Sequence, residues 1–284
     1  MCRLFGMSAG GEPARATFWL LGAPDSLTLQ SHREPDGTGL GWFDSEGEPH
    51  LSKQPLAAFE DRRFAREART VQSRTFLAHV RFASTGALQR RNTHPFEQDG
   101  RLFAHNGVIG EQDALQARLG EDRHRVRGDT DSERLFALIT REIAHHDGDV
   151  HAGIRVACEW VAANLPLLAI NFVLATADGL WALRYPDTHT LYVLERPPGA
   201  PLEHESSLGS RVRCEHGAGR PLVILASERM DDDPGWRALE SGELIHVSGD
   251  LTLRSQRLLD KPPAKPLTLA DLSDRARTSQ TTQR

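Results

Sequence analysis

Cysteine is scarce in this sequence of 284 residues: Cys2, Cys158 and Cys214 form an odd, widely spaced set with no CxxC pair and no Cys/His knuckle. That excludes a disulfide framework or a zinc ribbon as the organising device. No apolar run approaches the ~20 residues that span a bilayer. The start of the chain, where Arg3 precedes a short apolar patch broken at Gly10, Gly11 and Pro13, does not form a secretory signal. A cytoplasmic location without membrane association is therefore expected. Positive charge is not in excess either: the formal net charge is -5, which gives no electrostatic reason for a nucleic-acid partner. His79, His94 and His105 have no metal-ligand spacing and no thiol or carboxylate completing a set, so neither metal nor cofactor is expected.

What remains is an ordinary globular composition, 39% hydrophobic and 26% charged, able to bury a sizeable core without cross-links. Residues 2–9 read as a strand stopped by Gly10-Gly11-Glu12-Pro13. Thr17 to Leu21 fits helix or strand. A turn-rich passage from His32 to Gly39 feeds a strand at Leu40 to Phe43, and Asp44 to Glu48 turns it back toward Lys53. Phe59 to Thr70 reads as a surface helix. Thr75 to Phe82 is a dense strand ending at Ser84-Thr85-Gly86, and Arg101 to His105 is another that stops at Asn106-Gly107.

Thr130 and Glu133 have the spacing of a capping box, each side chain satisfying a backbone donor of a first helical turn. Leu135, Phe136, Leu138, Ile139 and Ile143 then form one apolar face. A second helix runs from about Ala152 to Asn164, with Cys158 as a packed core thiol. From Ala169 the period changes to strands, with a hairpin signal at Asp178-Gly179 and a loop over residues 197–210. Further strands are expected near Val212, with Cys214 an ordinary strand residue, at Leu222 to Ala226, at Leu244 to Val247 and at Leu251 to Leu253. The acidic turn at Asp231-Asp232-Asp233 reads as a solvated loop. One compact domain over residues 2–255 and a flexible tail over 256–284 follow from this pattern.

Polar residues at strand ends make a set suited to one ligand. If the initiator methionine is trimmed, Cys2 carries a thiol and a free α-amine on one carbon, a nucleophile with its own base attached. A thiol titrates near ~8.5 and an α-amine near ~8, so at neutral pH a useful fraction of the amine is unprotonated and can take the thiol proton. Arg81 offers a fork for a carboxylate, Asp131 a counter-charge for an ammonium, and Asn106-Gly107 an amide N–H and an unhindered backbone N–H for an oxyanion. Carboxylate, ammonium and carbonyl are the polar handles of glutamine. The reaction expected is hydrolysis of a γ-carboxamide through a thioester.

Arg33 with Asp36-Gly37-Thr38-Gly39, the stretch from Ala78 to Gly86, Asn92-Thr93-His94-Pro95-Phe96, His105-Asn106-Gly107, and Asp129-Thr130-Asp131-Ser132-Glu133 follow Cys2 in order. In these motifs the chain resembles the class II glutamine amidotransferases of the N-terminal nucleophile hydrolase superfamily. The resemblance covers roughly residues 2–140. It implies an α+β fold, a four-layer αββα sandwich of two antiparallel sheets. It also implies that Cys2 is the nucleophile, Asn106 and Gly107 the oxyanion hole, Arg81 with Ser84 and Thr85 the α-carboxylate site, and Asp131 the α-amine site, with Asp129 a rival for that last role.

After about residue 255 there is no room for an ammonia-consuming domain. The chain thus resembles the small stand-alone subgroup that includes ergothioneine-pathway amidohydrolases. The implied substrate is free glutamine, with ammonia passed to a synthetase partner, or a γ-glutamyl conjugate of a small metabolite. A non-catalytic ligand-binding or assembly subunit is the reading from another class.

Overall fold

The computed structural model describes residues 2–84, 86–199, 203–205, 211–213 and 219–280. Alternation along the first strand, β1 (Arg3–Ser8), sets the layers. Phe5 and Met7 turn to one side and pack with Trp19, Phe64 and Phe76. Leu4 turns to the other and packs with Leu102, Val173 and Leu225. A strand buried on both faces must lie between two layers.

Chain order builds those layers. β2 (Gly37–Phe43) and β3 (Pro49–Gln54) form the hairpin expected around residues 44–48, and β4 (Thr75–Arg81) inserts between β1 and β2. β5 (Phe96–Gln98) pairs with β6 (Arg101–Ile109), and β6 with β7 (Pro166–Thr176), which turns at Asp178-Gly179 into β8 (Gly179–Arg184). β9 (Tyr192–Arg196) returns to the first sheet, and β10 (Glu203–Glu205), within the expected loop, pairs with β11 (Arg211–Arg213), the strand expected near Val212, as a separate ribbon.

The last strands are β12 (Leu222–Ala226), β13 (Arg237–Ala238), β14 (Glu243–Ser248), β15 (Leu253–Arg257) and β16 (Lys265–Pro266). The first sheet has the order β13-β9-β12-β1-β4-β2-β3; the second runs β15-β14-β8-β7-β6-β5, with β16 added parallel to β7. Every other pairing is antiparallel.

Helices cover the outer faces. A π-helical turn at Phe18–Gly22, α1 (Leu27–Gln30) and α2 (Arg62–Thr70) lie on the first sheet. α3 (Gln112–Leu119), α4 (Asp131–His145) and α5 (Val150–Asn164) lie on the second, where Phe136, Ile139, Ile154 and Cys158 meet Phe103, Phe172 and Leu174. The architecture is the αββα sandwich. None of the described helices is long and apolar enough to cross a membrane.

Several expectations are corrected. The surface helix expected from Phe59 starts only at Arg62, where Asp61 accepts from the Arg63 and Phe64 amides; Phe59 stays outside it and stacks on His32, while Thr17 to Leu21, open between helix and strand from the sequence, is helical. The last hairpin strand begins at Leu253, because Leu251 sits in the turn with φ 66°. The capping box is half made. Thr130 Oγ1 accepts from the Glu133 amide at 3.2 Å, but the Glu133 carboxylate turns to the amides of Arg127 (3.1 Å) and Gly128 (2.6 Å), whose loop folds back over it.

In the acidic turn, Arg196 lies 3.6 Å from both Asp231 and Asp233, and Trp236 Nε1 donates to Asp231, so these two carboxylates are partnered, while Asp232 is exposed as a solvated loop requires. Cys214 lies outside the described residues. The expected tail boundary at 255 falls within β15, and the segment beyond it packs along the body. Tyr185 Oη donates to Lys261 O at 2.9 Å, β16 pairs with β7, and α6 (Asp274–Gln280) brings Gln280 Oε1 to 2.8 Å from His189 Nε2. Low apolar content suggested a tail there; hydrogen bonds hold it instead.

Candidate active site

Cys2 precedes β1 at its junction with β4, and the antiparallel register that pairs Arg3 with Val80 carries it alongside Arg81 and Phe82. Its side chain is buried. The Phe82 amide donates to Sγ at 3.2 Å, and the thiol donates to Phe82 O at 3.3 Å. Burial pushes the thiol pKa up and the charge of Glu34 adds to this; the Phe82 N–H and the guanidinium of Arg81 pull the other way. The Cys2 carbonyl is fixed by Asn106 Nδ2 at 2.8 Å and by the Arg3 guanidinium at 3.4 Å.

Arg3 is itself buried, ion-paired with Glu34 at 3.4 Å and with Glu228 at 3.7 Å. Burial raises the Glu34 pKa and Arg3 lowers it. Leu4 is anchored through Ser227 Oγ, which accepts its amide at 2.7 Å. The start of the chain is therefore held on both sides by side chains remote in sequence.

Asn106 and Gly107, expected where a strand ends, lie inside β6, a correction with a steric reason. A Cβ on Gly107 would stand 1.9 Å from Ala169 O, so glycine here permits close approach of β7 and does not make a turn. The register of β6 against β7 shifts between Val108 and Ile109. The Ile109 amide at that irregularity is taken up by Asp131 Oδ2 at 2.9 Å, which ties the start of α4 to the strand carrying Asn106.

One narrow cleft collects Cys2, Arg81, Ser84, Gly107 and Asp131. Asn106 joins them through Cys2 O, and Thr85 lies outside the described residues. Asp129, the rival to Asp131, is outside the cleft: it accepts from Asn92 Nδ2 at 3.1 Å and pairs with Arg91 at 3.3 Å, tying two surface loops together. Arg81 is buried and donates to Ala87 O at 3.3 Å, which folds the loop after β4 over the guanidinium; burial lowers its pKa. Asp36 accepts from the Ala83 amide at 2.8 Å and so braces that loop.

His94 and Ser132 also line the cleft, roles that sequence reasoning did not assign. Both lie within the ordered motifs, which is the signal that singles them out. Ser132 Oγ meets His105 Nδ1 at 2.9 Å. Burial pushes the pKa of His79 down to about 3 and that of His94 well below its ordinary value, so both are neutral imidazoles at neutral pH. Among the described residues no group of His, Cys, Asp and Glu is arranged to hold a metal ion.

With this geometry in place, comparison with known proteins identifies relatives. The chain is 28% identical over 247 residues to the γ-glutamyl-hercynylcysteine sulfoxide hydrolase of Mycolicibacterium smegmatis, covering 84% of this chain and 92% of that one. Its fold matches a glutamine phosphoribosylpyrophosphate amidotransferase from B. subtilis with a TM-score of 0.65 at 19% identity, over 92% of this chain and 50% of that one. It also matches a glutamine aminotransferase class-II domain protein from Silicibacter pomeroyi with a TM-score of 0.60 at 21% identity, over 90% of this chain and 99% of that one. The model of the class-II glutamine amidotransferases matches residues 1–266, and the chain belongs to that family of enzymes.

Proposed function

We propose that this protein hydrolyses a γ-glutamyl amide with Cys2 as its nucleophile, after removal of Met1 frees the α-amine. The observation that carries the reading is the convergence of the Cys2 thiol, the Arg81 guanidinium and the Asp131 carboxylate on one cleft. A guanidinium and a carboxylate at one end fit the α-carboxylate and α-ammonium of a glutamyl group. The γ-carbonyl then meets the thiol.

Sγ bonds to the carbonyl carbon while the α-amine takes the thiol proton. The Asn106 amide and the Gly107 N–H stabilise the oxyanion. The C–N bond breaks as the ammonium of Cys2 returns the proton to the leaving amine, which gives a thioester. Water, deprotonated by the same amine, adds to the thioester carbon; the C–S bond breaks, glutamate leaves and the thiol is restored. Ser84 and Thr85 belong to the α-carboxylate end of this site, and a cytoplasmic setting keeps the thiol reduced.

The leaving group is ammonia if glutamine is the substrate, with a synthetase as its acceptor, or a larger amine if the substrate is a γ-glutamyl conjugate. The relative named as a γ-glutamyl-hercynylcysteine sulfoxide hydrolase supports the conjugate. Glutamate release is to be measured for the isolated chain on glutamine and on a panel of γ-glutamyl amines, beside Cys2→Ala and an intact-mass measurement. The reading expects turnover by the chain lacking Met1 and none by the folded variant. Activity surviving in Cys2→Ala, or Met1 retained on an active chain, overturns it.

A further inference from the structure

Behind the catalytic cleft lies a second cavity of about 410 Å³, and its walls carry Lys53, Arg90, Arg91 and Arg127. The two spaces share their partitions. Asp131 and Ser132 face the cleft while Glu133, next on the same helical turn, faces the cavity; His94 lines the first and Phe96 the second. Lys53, on edge strand β3, donates to Pro95 O at 2.9 Å, between those two residues.

The cations and carboxylates of this cavity are engaged to different degrees. Glu133 spends its oxygens on the amides of Arg127 and Gly128, and Glu97 accepts from the Gly100 amide at 3.2 Å. Arg91 holds an exposed ion pair with Asp129. Lys53 gives one of its three N–H bonds to Pro95 O, stands 4.7 Å from the centre of the Phe96 ring, and has no carboxylate within ion-pair distance among the described residues. Burial pushes its pKa down to about 8, against the charge of Glu133 and with that of Arg90. The side chains of Arg90 and Arg127 make no hydrogen bond or ion pair with any described residue.

An ammonium and two guanidinium groups around one space suit a group with three terminal oxygens and two charges better than a planar carboxylate. Leu51 and the Phe96 ring add an apolar wall. We propose that this cavity is a binding site for a phosphate monoester of metabolite size, its phosphoryl group held by Lys53, Arg90 and Arg127 and its carbon skeleton laid on Leu51 and Phe96. The site is separate from the cleft of Cys2, so binding here stands or falls independently of the catalytic reading.

The test is isothermal titration of the full chain at neutral pH and fixed ionic strength with phenyl phosphate, inorganic phosphate, citrate and phenol. Phenyl phosphate should bind saturably at one site, inorganic phosphate more weakly and phenol not at all. Lys53→Met and Arg90→Ala should each weaken phenyl phosphate by about tenfold or more while unfolding at or above the wild-type temperature. Lys53, Lys261 and Lys265 are the lysines of this sequence, so acetylation read by peptide mass gives a second measure: phenyl phosphate should slow labelling of Lys53 and leave the other two unchanged. No saturable phenyl phosphate binding up to about 10 mM, equal affinity in the folded variants, or citrate binding as tightly would overturn the assignment.

Discussion

Replacing Gly107 with alanine probes the closest approach in the molecule that bears on the proposed chemistry. The added carbon would lie 1.9 Å from Ala169 O, 2.5 Å from Ala169 C and 2.8 Å from His105 Nε2, whereas ordinary contact begins at 3.4 Å. β6 and β7 must therefore separate by about 1.5 Å at this register, and both nearest atoms are backbone that cannot rotate away. Overpacking costs about 1–3 kcal/mol, and a backbone clash belongs at the upper end. At about 2–4 °C per kcal/mol for a chain of this size, the melting temperature should fall by about 6–12 °C.

The same displacement carries the proposed oxyanion donor out of hydrogen-bond range, a loss of about 10²–10³ in kcat with a smaller change in KM. Gly41→Ala is the control. Its new carbon would meet Leu102 Cδ1 at 2.7 Å, the movable end of a side chain, so melting should shift little and kcat should be kept. Differential scanning calorimetry and glutamate release, measured on both variants, supply the two readouts. A Gly107→Ala protein melting within about 2 °C of wild type and keeping kcat within about threefold would refute both the steric and the catalytic arguments.

Arg3→Met should cost about 3–5 kcal/mol in denaturant unfolding at pH 7, because it breaks the ion pairs of buried Arg3 with Glu34 at 3.4 Å and with Glu228 at 3.7 Å. The loss should shrink toward pH 5, since the burial that raises the Glu34 pKa favours its neutral form. His79, whose pKa is depressed to about 3, is a base that takes up protons in the unfolded chain from about pH 6.5 downward but not in the folded one. Stability is therefore present above pH 6.5 and declines on acidification, by about 2 kcal/mol from this residue alone at pH 5, checked by urea unfolding at both values.

Lys53 has a depressed pKa of about 8, so the unfolded chain holds the extra proton between about pH 8 and 10.4, and stability rises with pH across that window. Lys53→Met removes this penalty, about 3 kcal/mol at pH 7, and loses the bond to Pro95 O, a net gain of about 1–2 kcal/mol that should vanish by pH 11.

Cys2, Arg81 and Asp131 stood out in the sequence because each lies where a strand or helix begins or ends, at the start of β1, the end of β4 and the start of α4. Thr130 was found as a helix cap from its spacing to Glu133, and the hairpin at Asp178-Gly179 from its turn residues. The Asn-Gly pair misled: those residues favour a turn by local propensity, yet Gly107 is required by how near β7 comes, a tertiary fact with no local signature. The last segment misled for a related reason. It has few large apolar residues, and what fixes it are contacts between residues far apart in sequence, such as Arg275 donating to Ala83 O at 3.0 Å. The capping box failed because the Glu133 carboxylate found closer donors in the loop before it, an outcome that spacing within the helix does not encode.

Because Cys2 adjoins a strand with partners on both sides, and Asn106 and Gly107 lie within another, much of the proposed machinery is carried on hydrogen-bonded ladders and little on loops. Such groups drift out of register only when the ladder opens, and amides there exchange with solvent only through large-scale opening. Heat inactivation and disappearance of the β-sheet signal should then be a single event, with no window of temperature in which a folded chain has already lost its activity.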